Sequence, residues 1–311
     1  MNDNDDLFSS SLDQPWKVAS ITQQSAYANL AALIVLLYDI GLTVDREYLY
    51  MWSSRQSYIG LLYYIARYFC PVVILFNFSV YTQTNPSHPI CNAVLWVSNL
   101  GQLITTITIE MIMTLRVYAL YDQDSRVLAG LVVMVAAEIG LGIWSCVMDV
   151  SHSFVLDSPL SPFQKGCAFV SLADRALLIG RIGSLFAAAV FFTLTVYKFL
   201  ALRRCREYSL TRAFSHSTPV LVAFVEGETI YFALTFCVVL TATLLQSIGR
   251  LQPYLGGIIP SWLNVAHSIV GTRLILDLRT AAQPKDYASF SLGEVSTAEF
   301  GFQHEDSLIT G

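Results

Sequence analysis

Seven stretches of this chain stay apolar over lengths that match the hydrocarbon layer of a bilayer, and that repetition leaves few folds open. They run 25–43, 57–81, 93–120, 127–150, 176–197, 219–246 and 255–275. At 1.5 Å per residue, about 20 residues cover the ~30 Å apolar core. Inside lipid every backbone N–H and C=O needs a partner within the protein, so runs of this length form helices. A β-barrel would need strict alternation, which is absent. The expected fold class is therefore all-α, a polytopic membrane bundle of about seven transmembrane helices. The composition agrees: 54% of residues are hydrophobic and 13% charged, where a soluble domain carries about a quarter charged residues. The last stretch is the most dilute, with Pro260, Ser261, Asn264, His267, Ser268 and Thr272, and a re-entrant segment is the alternative there.

Polar tails flank this domain. Residues 1–24 form an N-terminal tail opening on MNDNDD, 25–280 the membrane domain, and 281–311 a C-terminal tail expected to be disordered and cytosolic. The tails carry much of the net charge of −5. No basic n-region precedes a short apolar run with a cleavage site, so a removable signal peptide is not expected.

Basic residues in the connections set the expected orientation. Under seven spans, Arg46, Arg55, Arg126, Arg203, Arg204, Arg206, Arg212, Arg279 and Lys285 fall on one side, against Lys17, Lys165, Arg175 and Arg250 on the other. The richer side faces the cytosol, which puts the N-terminus outside and the C-terminus inside, in the plasma membrane or the secretory pathway. The basic run RRCREYSLTR after the fifth stretch reads first as a topology determinant. The same orientation sorts the cysteines. Cys70, Cys146 and Cys237 lie in spans and Cys205 in the cytosol, which leaves Cys91 and Cys167 outside. There a disulfide and two free thiols are both open. The one permitted glycosylation motif, at Asn77, lies within a span, so glycosylation is not expected.

Ionisable groups at membrane depth carry the most chemical information. A charge at mid-bilayer costs at least ~2.5 kcal/mol on insertion scales, so such groups turn inward and find partners. Here they are Asp39, Arg67, Glu110, Glu138, Arg181, Glu226 and Glu228. Arg67 and Glu110 each lie about 15 Å from the cytosolic ends of neighbouring spans and could pair, either as an ion pair fixing two helices or as a functional switch. Asn99, Gln102, Thr106, Glu110 and Thr114 recur at three- and four-residue spacing, so they share one side of a helix. That stripe reads either as interhelical hydrogen bonding or as the wall of a polar cavity, with His267 able to join it. Glu226 and Glu228 point about 200° apart on a helix, which rules them out as a catalytic carboxylate pair.

The run YDIGLTVDRE at 38–47, followed by Trp52 and the pair Arg67-Tyr68, resembles the N-terminal signature of a mushroom-type fungal membrane family that carries domain of unknown function 6533. Glu110 followed by RVYALY at 116–121, Gly227 with Tyr231-Phe232, and TRLILDLR at 272–279 extend the resemblance over most of the chain, with the signature at about 25–70. It implies a seven-span fungal protein of unassigned activity, and so transfers no catalytic or binding role. Similar proteins often have a basic and an acidic residue before the sixth-span glycine; this chain has Val225-Glu226.

What is missing narrows the function. The seventh stretch has no lysine for a Schiff base. The five histidines are dispersed, without H-E-x-x-H, and Gly-rich phosphate loops, dinucleotide fingerprints and G-x-S-x-G elbows are absent. An enzyme is disfavoured, and neither cofactor nor metal is expected. Nucleic acid is not an expected partner. The bilayer is, together with a small-molecule ligand or a cytosolic protein. The leading function class is a receptor-like or sensor-like seven-helix protein. The alternatives are a secondary transporter or proton-coupled carrier and a structural or assembly membrane protein. The candidate polar interior comprises Arg67, Asn99, Gln102, Thr106, Glu110, Glu138, Arg181 and Glu226.

Overall fold

The computed structural model describes residues 15–52, 58–84, 86–155, 166–167, 169–171, 174–209, 218–248 and 257–282. They build an all-α polytopic membrane protein. Helix α1 spans Pro15–Glu47 and runs on through a π-helical turn, Tyr48–Trp52. Helix α2 covers Tyr58–Thr82 with a π turn at Ile65–Phe69. Then follow α3 (His88–Leu120), α4 (Ser125–His152), α5 (Asp174–Ser209), α6 (Thr218–Ser247) and α7 (Ile258–Ala282). Between α4 and α5 a two-stranded antiparallel ribbon pairs β1 (Ser153–Val155) with β2 (Phe169–Ser171). Helix α1 begins ten residues before the apolar stretch that marks it in the sequence.

Six described helices are long and apolar enough to cross a membrane: α1 from Ala19, α2, α3, α4, α5 from Arg175 to Ala201, and α6 from Thr229. Helix α7 falls below that apolarity for a physical reason. It packs against α1, α2, α3 and α6, and its Ser261, Asn264, His267, Ser268 and Thr272 are all buried. Protein rather than lipid meets most of its faces, so its side chains can be polar. Lipid-type exposure lies elsewhere, on residues such as Tyr38, Leu42, Val133 and Phe186.

Local chemistry sets the breaks. The Asp124 carboxylate caps α4 by accepting from the Arg126 N–H at 2.9 Å, after a tight turn in which Asp122 and Gln123 take φ of 55° and 62°. In α2, Pro71 has no N–H to offer the Arg67 carbonyl four residues back, so the α ladder cannot close and the chain widens into the π turn. The Ala66 carbonyl in that turn accepts instead from Ser268 of α7 at 2.6 Å.

Small residues let helices approach: Gly142 packs on Leu103, Gly180 on Ser145, Gly183 on Leu141, and Gly271 on Ile109 and Ile112. The largest apolar cluster includes Tyr63, Ile112, Val117, Phe191, Phe232 and Leu274. At one end of the bundle, Cys91 in the first turn of α3 forms a disulfide with Cys167. Arg46, Arg126, Arg204 and Arg279 mark the other, basic end.

Candidate functional site: an ion lattice and a polar column

Two buried polar regions stand out, and the first lies toward the basic end. Asp39, Thr43 and Glu47 are spaced by four residues, so they line one face of α1. Arg67, brought inward on the π turn of α2, meets that face. Its Nε lies 2.8 Å from Glu47 Oε2, its Nη1 3.8 Å from Asp39 Oδ2, and its Nη2 donates to Thr43 Oγ1 at 2.6 Å and to the Ile40 carbonyl at 3.0 Å. Arg67 is 1% exposed and Glu47 0%. The Tyr68 hydroxyl donates to Glu47 Oε1 at 2.6 Å and the Trp52 indole to the same oxygen at 3.4 Å. The Arg67 guanidinium also lies 5.7 Å from the centre of the Tyr63 ring.

Helix α7 completes this lattice. Arg273 donates to Asp39 Oδ1 from Nε at 3.1 Å and from Nη2 at 2.7 Å. Asp277, one turn on, is 3.6 Å from Arg46 and accepts from the Tyr231 hydroxyl of α6 at 2.9 Å. Arg279 donates to the Tyr50 carbonyl at 2.9 Å, and Arg116 of α3 to the Leu274 carbonyl. Asp39, Glu47 and Asp277 thus face Arg46, Arg67 and Arg273 in ion pairs, while Glu47 Oε2, Arg67 Nε and Nη1 and the Tyr63 hydroxyl make no hydrogen bond. Burying such groups is tolerable only with this degree of pairing.

The expected Arg67–Glu110 pair does not form. Arg67 is taken by α1, because its π turn aims it away from α3 and toward Glu47 and Asp39. Glu110 instead interacts with Glu138 of α4. The two carboxyls are 6% and 7% exposed, and Glu110 Oε2 and both Glu138 oxygens lack a hydrogen-bond partner. No arginine, lysine or histidine among the described residues lies within ion-pair distance of either.

This pair is the deep end of a column along α3. Nearest the disulfide end, Asn99 donates to Asp149 Oδ2 of α4 at 2.9 Å. One turn deeper, Gln102 donates to Thr106 at 3.3 Å while its Oε1 is buried without a partner. Glu110 follows, and then Thr114, whose buried hydroxyl is also unpartnered. The glycine contacts fix the register of the neighbours: Leu103 lies level with Gly142, Ser145 with Gly180, and Ile109 and Ile112 with Gly271. Arg181 of α5 and Asn264 and His267 of α7 therefore lie within about 8 Å of Gln102 along the bundle axis.

Residues 27–72 match the model of a family of unknown function, DUF6533. No curated protein gives a match to the chain. The DUF6533 segment is the α1–α2 hairpin up to Val72, and it holds Asp39, Thr43, Arg46, Glu47, Trp52, Tyr63, Arg67 and Tyr68 of the lattice. Arg273, Asp277 and Tyr231 lie outside it.

Of the residues singled out in the sequence, the structure brings Glu110 to Glu138, Asn99 to Asp149, Gln102 to Thr106, and Cys91 to Cys167. Asp39 and Arg67 meet each other in the lattice, apart from the column. The side chains of Glu226 and Glu228 lie outside the described residues. Sequence reasoning passed over Glu47, Asp149, Arg273 and Asp277 as site residues. The 39–43–47 spacing and the i, i+4 pair of Arg273 and Asp277 were the available signals. Among the described residues no cluster of three or more His, Cys, Asp or Glu is placed to hold a metal ion.

Proposed function

We propose that this chain is a receptor-like or sensor-like seven-helix membrane protein, with α7 as its seventh span. In this reading the N-terminus and the disulfide end face outside, the C-terminus is cytosolic, and the protein resides in the plasma membrane or the secretory pathway. The observation that carries it is the division of the polar interior. Unpartnered groups lie along a column on α3 below the Asn99–Asp149 pair, and an ion-paired lattice clamps α1, α2 and α7 toward the basic end. A ligand in the column touches α3 and α7, and α7 is also the helix the lattice holds through Arg273 and Asp277. Such a lattice is a two-state element that occupancy of the column can bias.

The test is a distance measurement between spin labels at Asp124 and Thr280, both exposed near the basic end, in a background without other free thiols. Breaking the lattice with Arg273→Gln is expected to populate a second distance. A single distance, unchanged in the variant, contradicts the reading.

The carboxyl pair favours a second reading, a proton-coupled carrier, because two adjacent buried carboxyls without a cation are suited to holding a proton or a small cation between them. Under that reading Glu110→Gln abolishes proton-driven uptake into proteoliposomes while the protein stays folded. Intact uptake in the folded variant contradicts it.

A further inference from the structure

Among the described residues, Arg181 belongs neither to the lattice nor to the carboxyl pair. It is half-buried, and no carboxylate among the described residues lies within ion-pair distance of it. An arginine at membrane depth without a counter-charge marks a functional position, since its burial cost is otherwise uncompensated. Three further groups at its level are also short of partners. His267, 5% exposed and within the electrostatic reach of the Arg181 charge, has a buried Nδ1 without a hydrogen bond. Asn264, 4% exposed, leaves Oδ1 unpartnered, and Gln102 leaves Oε1 unpartnered. Helices α5 and α7 have no extensive contact with each other.

We propose that Arg181, Gln102, Asn264 and His267 form a binding site for a small organic carboxylate that also carries a hydroxyl or amine donor. The guanidinium supplies the counter-charge and up to five N–H donors in a fork that fits a carboxylate. The oxygens of Gln102 and Asn264 can only accept, so they select a ligand with an O–H or N–H to give. Glu110, with Glu138 of α4 beside it, lies about 12 Å deeper along α3, too far to neutralise Arg181 directly. This inference deepens the sensor reading by naming its ligand class, and it rests on that reading only for the direction of entry.

The experiment is calorimetric titration of the full chain in lipid nanodiscs with lactate, its neutral amide lactamide, and propionate, which lacks the hydroxyl. Lactate is expected to bind saturably, lactamide not at all, and propionate more weakly. Arg181→Gln is expected to weaken lactate at least about tenfold, since it removes charge-assisted hydrogen bonds, and Arg181→Lys to retain part of the affinity. Should Arg181→Gln fail to fold, Asn264→Leu serves: it is expected to remove the preference of lactate over propionate and leave propionate unchanged. Equal heats for lactate and lactamide, no saturable heat with lactate, or parental lactate affinity in folded Arg181→Gln would overturn the site. Lactate binding without any change in the Asp124–Thr280 distance keeps the site and removes the sensor reading. The reverse result removes the site alone.

Discussion

The lattice of α1, α2 and α7 and the column on α3 and α4 are both buried and both polar, yet they meet the cost of burial in opposite ways. In the lattice each charge is answered: Arg67 has Glu47 at 2.8 Å and Arg273 has Asp39 at 2.7 Å. In the column like groups meet, Glu110 on Glu138, and oxygens of Gln102, Asn264 and both glutamates are left without partners. Opposite charges in contact hold helices together even where some hydrogen bonds are missing, while buried polar groups without a counter-charge are strained unless something else completes them. The contrast teaches that the segment matching DUF6533 supplies the α1 and α2 side of the lattice, and that the polar groups of the column lie outside it.

The comparison breaks most readily at Arg67. Arg67→Met strands Glu47 and Asp39 as buried, uncompensated carboxylates, and is expected to cost about 3–5 kcal/mol in unfolding experiments in mixed micelles. A parental unfolding midpoint for that variant would show that the lattice does not clamp the bundle. A smaller effect is expected for Asp39→Asn, about 1–3 kcal/mol, because Arg67 keeps Glu47 and Thr43. Combined with Arg273→Gln, it should prove non-additive, since the two side chains share one interaction. Additive losses would mean that the 2.7 Å contact contributes nothing. Tyr231→Phe removes a single hydrogen bond to Asp277, and a loss of about 0.6 kcal/mol is expected, the scale of interhelical hydrogen bonds in membranes. At the bottom of the order stands Glu138→Gln in the column. It replaces a buried carboxyl whose oxygens have no partner, so its unfolding midpoint should be unchanged or slightly higher; a large loss would mean that the carboxyl pair is a structural element.

Much of the architecture is legible in the sequence, because apolar length and the need to satisfy the backbone in lipid leave little choice. The column is legible for the same kind of reason. Asn99, Gln102, Thr106 and Glu110 lie on one helix, and spacing within a helix fixes which side chains share a face. Partners across helices are harder, since azimuth and axial register decide them. Arg67 shows this: the π turn at Ile65–Phe69 changes the face on which it emerges, and its acid comes from α1 rather than α3. Glu47 and Asp277 lie just beyond the apolar stretches that mark their helices, so they read as interfacial; the helices run further than the apolar stretches, and both residues enter the lattice. The Cys91–Cys167 link was open to sequence reasoning because the inferred topology leaves two cysteines on one side.

The most direct test sets two glutamates side by side: the unfolding free energies of Glu47→Gln and Glu110→Gln, measured in the same micelles. Each substitution replaces one buried carboxyl group by an amide at nearly constant volume. The account predicts that Glu47→Gln loses about 3 kcal/mol or more, because the buried Arg67 charge loses its closest partner, while Glu110→Gln loses nothing measurable. Equal losses in the two variants would contradict the division of this bundle into a closed lattice and an open column.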